Sequence, residues 1–289
     1  MKSSSLSARA ALLSALIFLL LLAVWHVATL QAPAPAPAQN LTPEQIEYLK
    51  LQGKDPGGTA TKGSGFPTPK DMWSTASHHL SEPFYDRGPN DKGIGLQLAY
   101  SLARVALGFL LAAVVAIPLG FALGMSPLVY KALYPYINVL KPISPLAWMP
   151  LALYTIKDSS VSGVFVIFIC SLWPMLINTA FGVAGVRRDW LNVASTLEVG
   201  RLRKSLTVIL PAAAPTILTG MRISIGIAWL VIVAAEMLVG GTGIGYFIWN
   251  EWNNLSLTNV IFAILIIGVV GMALDWLFGR LQRAVSYVE

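Results

Sequence analysis

Residues 96–123 read LQLAYSLARVALGFLLAAVVAIPLGFAL, an apolar run in which Arg104 is the single charged side chain. About 20 helical residues span the ~30 Å hydrocarbon core of a bilayer, so this run is long enough to cross one. Working outward, comparable runs occupy residues 11–30, 134–156 (interrupted by prolines), 161–183, 216–238 and 259–278. Transmembrane β-strands would be shorter and would alternate apolar with polar, which these runs do not do. The expected fold is therefore all-α: a polytopic membrane protein with six transmembrane helices. Composition agrees, because 55% hydrophobic and 12% charged residues leave too little polar material to coat a soluble globule.

The net charge of +6 does not point to nucleic acid. Lys and Arg fall in short clusters between apolar runs and make no surface interleaved with aromatics. Lys2, Arg9, Lys131, the set Arg187, Arg188, Arg201, Arg203 and Lys204, and finally Arg280 and Arg283 all fall on one side of a six-span arrangement. Opposite them lie Glu251 in one connection and Lys157 beside Asp158 in another. Positively charged loops stay in the cytoplasm, so both termini are expected there. A basic start followed by an apolar core also resembles a cleaved signal peptide, but the first run is longer than a signal core. It also carries Trp25 near its outer end, which fits a retained helix.

Residues 1–30 thus read as an N-terminal transmembrane helix, 31–95 as an extracytoplasmic insertion, and 96–289 as a five-helix core containing a cytoplasmic loop at 185–211. The insertion opens with an Ala-Pro alternation at 32–38, which favours an extended chain. Thr42-Pro43-Glu44-Gln45 then reads as a helix start. His78 and His79 are adjacent, a spacing that suits surface histidines better than one metal site. The single cysteine, Cys170, can build neither a disulfide framework nor a cysteine metal site within one chain. Neither the glycines at 57–64 nor Gly240, Gly241, Gly243 and Gly245 have phosphate-loop or dinucleotide spacing. No catalytic constellation is present, so energy for uphill transport would come from a partner or a coupled ion.

Between the fourth and fifth runs, Asp189 can cap a short helix with Leu191, Ala194, Ser195 and Glu198 at helical spacings. A basic stretch then leads to Leu210-Pro211 at the membrane edge. Such a helix would lie on the membrane surface or dock a protein partner.

Several segments together resemble the permease subunits of binding-protein-dependent ATP-binding-cassette importers, in particular the nitrate, bicarbonate, sulfonate and taurine group. They are Ser101-Leu102-Ala103-Arg104 with Gly108, the run Lys141-Pro142-Ile143-Ser144-Pro145-Leu146-Ala147-Trp148-Met149-Pro150, Leu210-Pro211 with Gly220-Met221-Arg222, Glu236-Met237-Leu238, and Gly241-Thr242-Gly243-Ile244-Gly245-Tyr246. The resemblance implies a type I importer permease fold and a homodimer. It also implies two ATPase subunits that bind ATP and Mg, an extracytoplasmic substrate-binding protein, and no cofactor in this chain. In that family a Glu-Ala-Ala helix enters a cleft of the ATPase. Counting back from Pro211 places that motif on Asn192, Val193 and Ala194, of which only Ala194 matches; the glycine expected next falls on Glu198, with Gly200 two residues later. Pro83-Phe84-Tyr85-Asp86, Gly93-Ile94-Gly95 and the run 248–255 are most similar to nitrate and bicarbonate permeases. The resemblance therefore implies nitrate or nitrite, then bicarbonate, then sulfonate or taurine. A secondary anion carrier would be built of repeated halves, and spans one to three do not repeat in four to six.

Within the third run Pro142, Pro145 and Pro150 free backbone carbonyls, which inside a membrane must face protein or a watery cavity. A kinked packing helix and a pore-lining one both satisfy this. Ser144, Trp148, Trp173 and Asn178 are the nearest donors for an oxyanion, and Lys141 either adds charge or snorkels. Arg104 and Glu236 are charges inside spans at compatible depths, expected either to pair or, for Arg104, to guide the anion.

Overall fold

The computed structural model describes residues 2–30, 66–88 and 91–285. The Ala-Pro run and the helix start expected at Thr42 lie outside the described residues. The chain divides into two compact units, one of Met1–His78 with Ser256–Phe262 and the other of His79–Leu255 with Ala263–Glu289.

In the first unit, α1 (Lys2–Leu30) is one unbroken helix with apolar side chains exposed on every face, as suits a helix solvated by lipid. The Trp25 indole N–H donates to the Pro67 carbonyl at 2.9 Å, and its ring meets Phe66 edge to face. The helix α2 (Pro69–Ser81) follows directly. Thr68 and Asp71 start it with a reciprocal capping box: the Thr68 backbone N–H and hydroxyl both donate to the Asp71 carboxylate, while the Asp71 N–H donates to the Thr68 hydroxyl.

The second unit is built on three long helices, α3 (Ile94–Met125), α6 (Ser159–Ala184) and α9 (Leu210–Val239). The central one is α6, which packs on α3 and on α9. Gly108, Ala112, Ala116, Gly120 and Gly124 recur every fourth residue of α3 and form a ridge of small side chains against α6. A Cβ added at Gly120 would lie 2.5 Å from that of Thr179, and one at Gly124 would lie 2.6 Å from that of Val183. Close backbone approach of this kind is how membrane helices gain contact where lipid removes the hydrophobic drive. On the other side Gly220 of α9 receives Asn178, with 2.6 Å from an added Cβ to the Asn178 Cβ.

The proline-interrupted third run is two helices rather than one kinked rod: α4 (Pro127–Leu140) and α5 (Pro145–Ile156). Pro142 and Pro145 supply no N–H across the intervening turn, and α5 starts with Pro145 at its first position, where no donor is needed. Among the described residues five helices are long and apolar enough to cross a membrane, and α5 is a shorter apolar one.

The fifth run begins earlier than its apolar stretch suggests. After α7 (Arg188–Thr196), a continuous rod runs from α8 (Arg201–Lys204) through a π-helical turn at Ser205–Ile209 into α9. Pro211 would clash with the Thr207 carbonyl of a regular α-helix; widening the turn to π geometry relieves the clash without a break. After α9 come α10 (Ile244–Asn253) and α11 (Leu257–Val285), of which residues from Ala263 onward belong to this unit.

Candidate translocation and coupling sites

At one end of the second unit, α3 presents Gln97, Ser101 and Arg104 on a single face at spacings of four and three residues. Arg104 and Glu236 of α9 meet there: Arg104 donates through Nη1 to Glu236 Oε1 at 2.7 Å, with side-chain exposures of 15% and 5%. The Ser101 hydroxyl sits 2.9 and 2.8 Å from the two carboxylate oxygens, and the Gly245 N–H donates to Oε2 at 3.1 Å. Arg104 also donates through Nε to the Ser160 hydroxyl at 2.9 Å and through Nη1 to the Thr242 carbonyl at 2.6 Å. Both ions are therefore supplied with partners, as charges withdrawn from water require.

The glycine-rich segment 240–245 is what lets this cluster form. Gly240 takes φ +77, turning the chain off the end of α9 in a region that disfavours other residues. At Gly243 any Cβ would run into the Glu236 carboxylate. The turn then delivers the Gly243 N–H to the Gln97 amide oxygen at 2.7 Å and the Ile244 N–H to Ser101 at 2.9 Å. Gln97, Ser101, Ser160 and the Thr242–Gly245 backbone were not among the sequence candidates. The i, i+4, i+7 polar face on an otherwise apolar helix is the signal for the first two.

The five oxyanion-path candidates have different surroundings. Lys141 ends α4 and lines a cavity of about 530 Å³ between α4, the end of α3 and the last turns of α6. Ser144 is exposed at the start of α5. Trp148 packs instead on a cluster of Met149, Ala152, Val166, Cys170, Val231 and Ala235, and none of the described groups accepts its indole N–H. Trp173 is half-buried on α6. Asn178 faces α9, donating to the Pro174 carbonyl of its own helix at 2.8 Å.

A second intramembrane pair was also unforeseen. Arg222 of α9 and Asp275 of α11 make two parallel bonds, Nε to Oδ1 at 2.7 Å and Nη2 to Oδ2 at 2.6 Å. Both stand inside apolar runs, the same signal that singled out Arg104 and Glu236.

In the loop, α7 starts at Arg188 with Arg187 in the cap position, two residues before the cap expected at Asp189, which lies in the first turn. Ala194 is buried, whereas Asn192, Val193, Glu198 and Gly200 are exposed. Trp190, Val193 and Leu197 form an exposed apolar stripe at spacings of three and four residues. Beyond it, Leu210 is half-buried and Pro211 exposed where α9 begins.

Residues 105–287 match the family model described as the binding-protein-dependent transport system inner membrane component. The chain belongs to this family. Among relatives of the permease, the nitrate import permease protein of Synechocystis sp. is 44% identical over 228 residues, covering 79% of this chain and 83% of the relative. The bicarbonate transport system permease protein of the same organism is 41% identical over 223 residues, covering 76% and 80%. The fold matches the inward-facing methionine ABC transporter with a TM-score of 0.58 at 13% identity, over 65% of this chain and 94% of that one.

Proposed function

We propose that this permease carries nitrate across the inner or plasma membrane as part of an ATP-driven importer. The likeness to the Synechocystis nitrate permease over most of both chains carries the reading. Bicarbonate is the second reading, favoured by a relative almost as similar. Two permease copies form the path, with an extracytoplasmic binding protein delivering the anion. Two ATPase subunits bind ATP and Mg and drive the cycle, while this chain performs no hydrolysis. Both termini face the cytoplasm, residues 31–95 lie outside, and residues 96–289 form the core.

The loop 185–211 transmits ATPase closure, and the stripe of Trp190, Val193 and Leu197 beside Asn192 is its contact face. Ala194 seats the helix on the permease itself. The Arg104–Glu236 pair holds the outer ends of α3 and α9 together as a structural or gating lock, since the carboxylate beside Arg104 would repel an anion. The complex reconstituted in proteoliposomes should take up labelled nitrate with ATP inside, and excess bicarbonate should compete weakly. Uptake of bicarbonate with none of nitrate would reverse the assignment.

A further inference from the structure

The 530 Å³ cavity beside α4 sets a basic, hydrogen-bonding side against an apolar one. Tyr130, Lys131, Tyr134, Asn138 and Lys141 all line it from one side of α4 and the residue after it, at spacings that stack them along the helix. The opposite wall, from α3 and α6, is apolar, with Leu123, Leu176 and Phe181 among its residues. No carboxylate lines it, and neither lysine has an ion pair among the described residues. At ~30 Å³ per water, the space accepts a polyatomic anion with part of its hydration shell.

Two lysines near a membrane surface can simply snorkel to it. Lys131 and Lys141, however, are ten positions apart, about 15 Å along the axis of a helix, and both line the same cavity. α4 also leads into the break at Lys141–Ser144, where Pro142 and Pro145 leave carbonyls without helical donors, and such backbone requires protein or water beside it.

We propose that this cavity is a binding station for the transported oxyanion on the cytoplasmic half of its path. Lys131 and Lys141 supply charge there, and Tyr130, Tyr134 and Asn138 supply hydrogen-bond donors. This rests on the oxyanion-importer reading above. A planar or tetrahedral oxyanion offers several acceptor oxygens to such donors, and an ammonium opposite it strengthens each bond. An apolar far wall keeps the anion from being held by a closed cage, so release to the cytoplasm stays fast.

The test is uptake by the full complex in proteoliposomes, using nitrate as the probe. The double variant Lys131→Gln, Lys141→Gln should assemble with its ATPases yet import nitrate about tenfold more slowly, while the Lys→Arg double variant stays within about twofold of the parent. Gln-variant uptake equal to the parent's would overturn the station. So would a defect seen in vesicles containing phosphatidylglycerol but absent in phosphatidylcholine alone, since the lysines would then be holding lipid phosphate. If the Gln variant does not assemble, acylation of Lys141 in the unaltered complex decides. Saturating nitrate should slow it more than chloride at equal ionic strength, and equal rates would overturn the proposal. A parent complex that imports neither nitrate nor bicarbonate would instead overturn the importer reading, and the station with it.

Discussion

Glu198 sits where the sequence pattern of the family places a glycine, and its geometry explains that glycine. The α7 helix ends in a Schellman turn: the Val199 N–H reaches the Ala194 carbonyl at 3.1 Å and the Glu198 N–H reaches that of Ser195 at 3.0 Å. Glu198 itself is forced to φ +53, a region costly for any residue with a Cβ. Glu198→Gly should therefore protect the α7 amides from hydrogen exchange by roughly 0.5–1 kcal/mol, a gain limited by the larger entropy of glycine in the unfolded chain. Unchanged or weaker protection would show that the Glu198 side chain itself holds the turn. The Arg104–Glu236 pair makes the opposite kind of site, where one side chain cannot be removed alone. Arg104→Ala or Glu236→Ala each leaves a buried charge unpaired and should cost about 3 kcal/mol of thermal stability in detergent, with the double variant losing less than the two added. Strictly additive losses would dissolve the pairing. This pair was legible in the sequence because a charge inside an apolar run demands a partner at matching depth. Ser160 and the Thr242 carbonyl were not, because neutral hydrogen-bond partners cost too little in a membrane helix to mark themselves.

At the scale of elements, the contact between α3 and α6 depends on the small-residue ridge, and there is no room in it. Gly120→Leu should abolish stable expression of the permease or lower its unfolding temperature by at least several degrees, because Thr179 and the Leu176 carbonyl close the space. A fully assembled, thermally unaltered variant would mean the helices can separate without penalty. Outside the membrane, the turn before α3 is tied by Lys92 donating to Asp86 at 2.6 Å, across an antiparallel bridge between the same residues. That bond, with help from the Gly88 N–H, holds the Asp86 carboxyl below its ordinary range, and the same bond raises the Lys92 ammonium. A depressed carboxylate stabilises the fold above its unfolded pKa near 3.9 and loses that effect as pH falls through the lowered folded value. A raised ammonium acts below about 10.4 and loses its effect as pH rises through the folded value. Exchange of the amides around Asp86 should thus be slow relative to its intrinsic rate between those limits, and Lys92→Met should remove the acid-side change. Helix existence was readable from apolar length. The third run's division and the π turn before Pro211 were not readable as boundaries, since proline marks a lost donor without saying whether the helix kinks, widens or stops. For α2 the signal is local and was present in Thr68-Pro69-Lys70-Asp71, a capping box with proline at the first helical position.

For the whole molecule, the sequence carries membrane class and family, while the anion's route depends on surfaces that meet only after folding. Within one copy, α3, α6 and α9 close on each other through Ala112, Ala116, Ile167, Ala213 and Ala228, all at 0% exposure. That seam is filled, so it offers an anion no conduit. Solvent-accessible polar groups stand outside it: the lysine-bearing face of α4, and the Arg222–Asp275 pair with side-chain exposures of 39% and 59%, the latter on helices otherwise fit for lipid. Exposed charges in such helices are stable only against water or another protein. The two-copy assembly proposed above would supply both, since two polar faces brought together across a twofold axis enclose a wet path that neither encloses alone. The detergent-purified complex should therefore have a mass equal to two permease and two ATPase chains, unchanged on dilution to nanomolar protein. Substituting both Arg222 and Asp275 with Leu should leave each copy folded while lowering nitrate uptake. An active complex whose mass accommodates one permease chain would place the path inside a single copy and require the α3–α6–α9 seam to open.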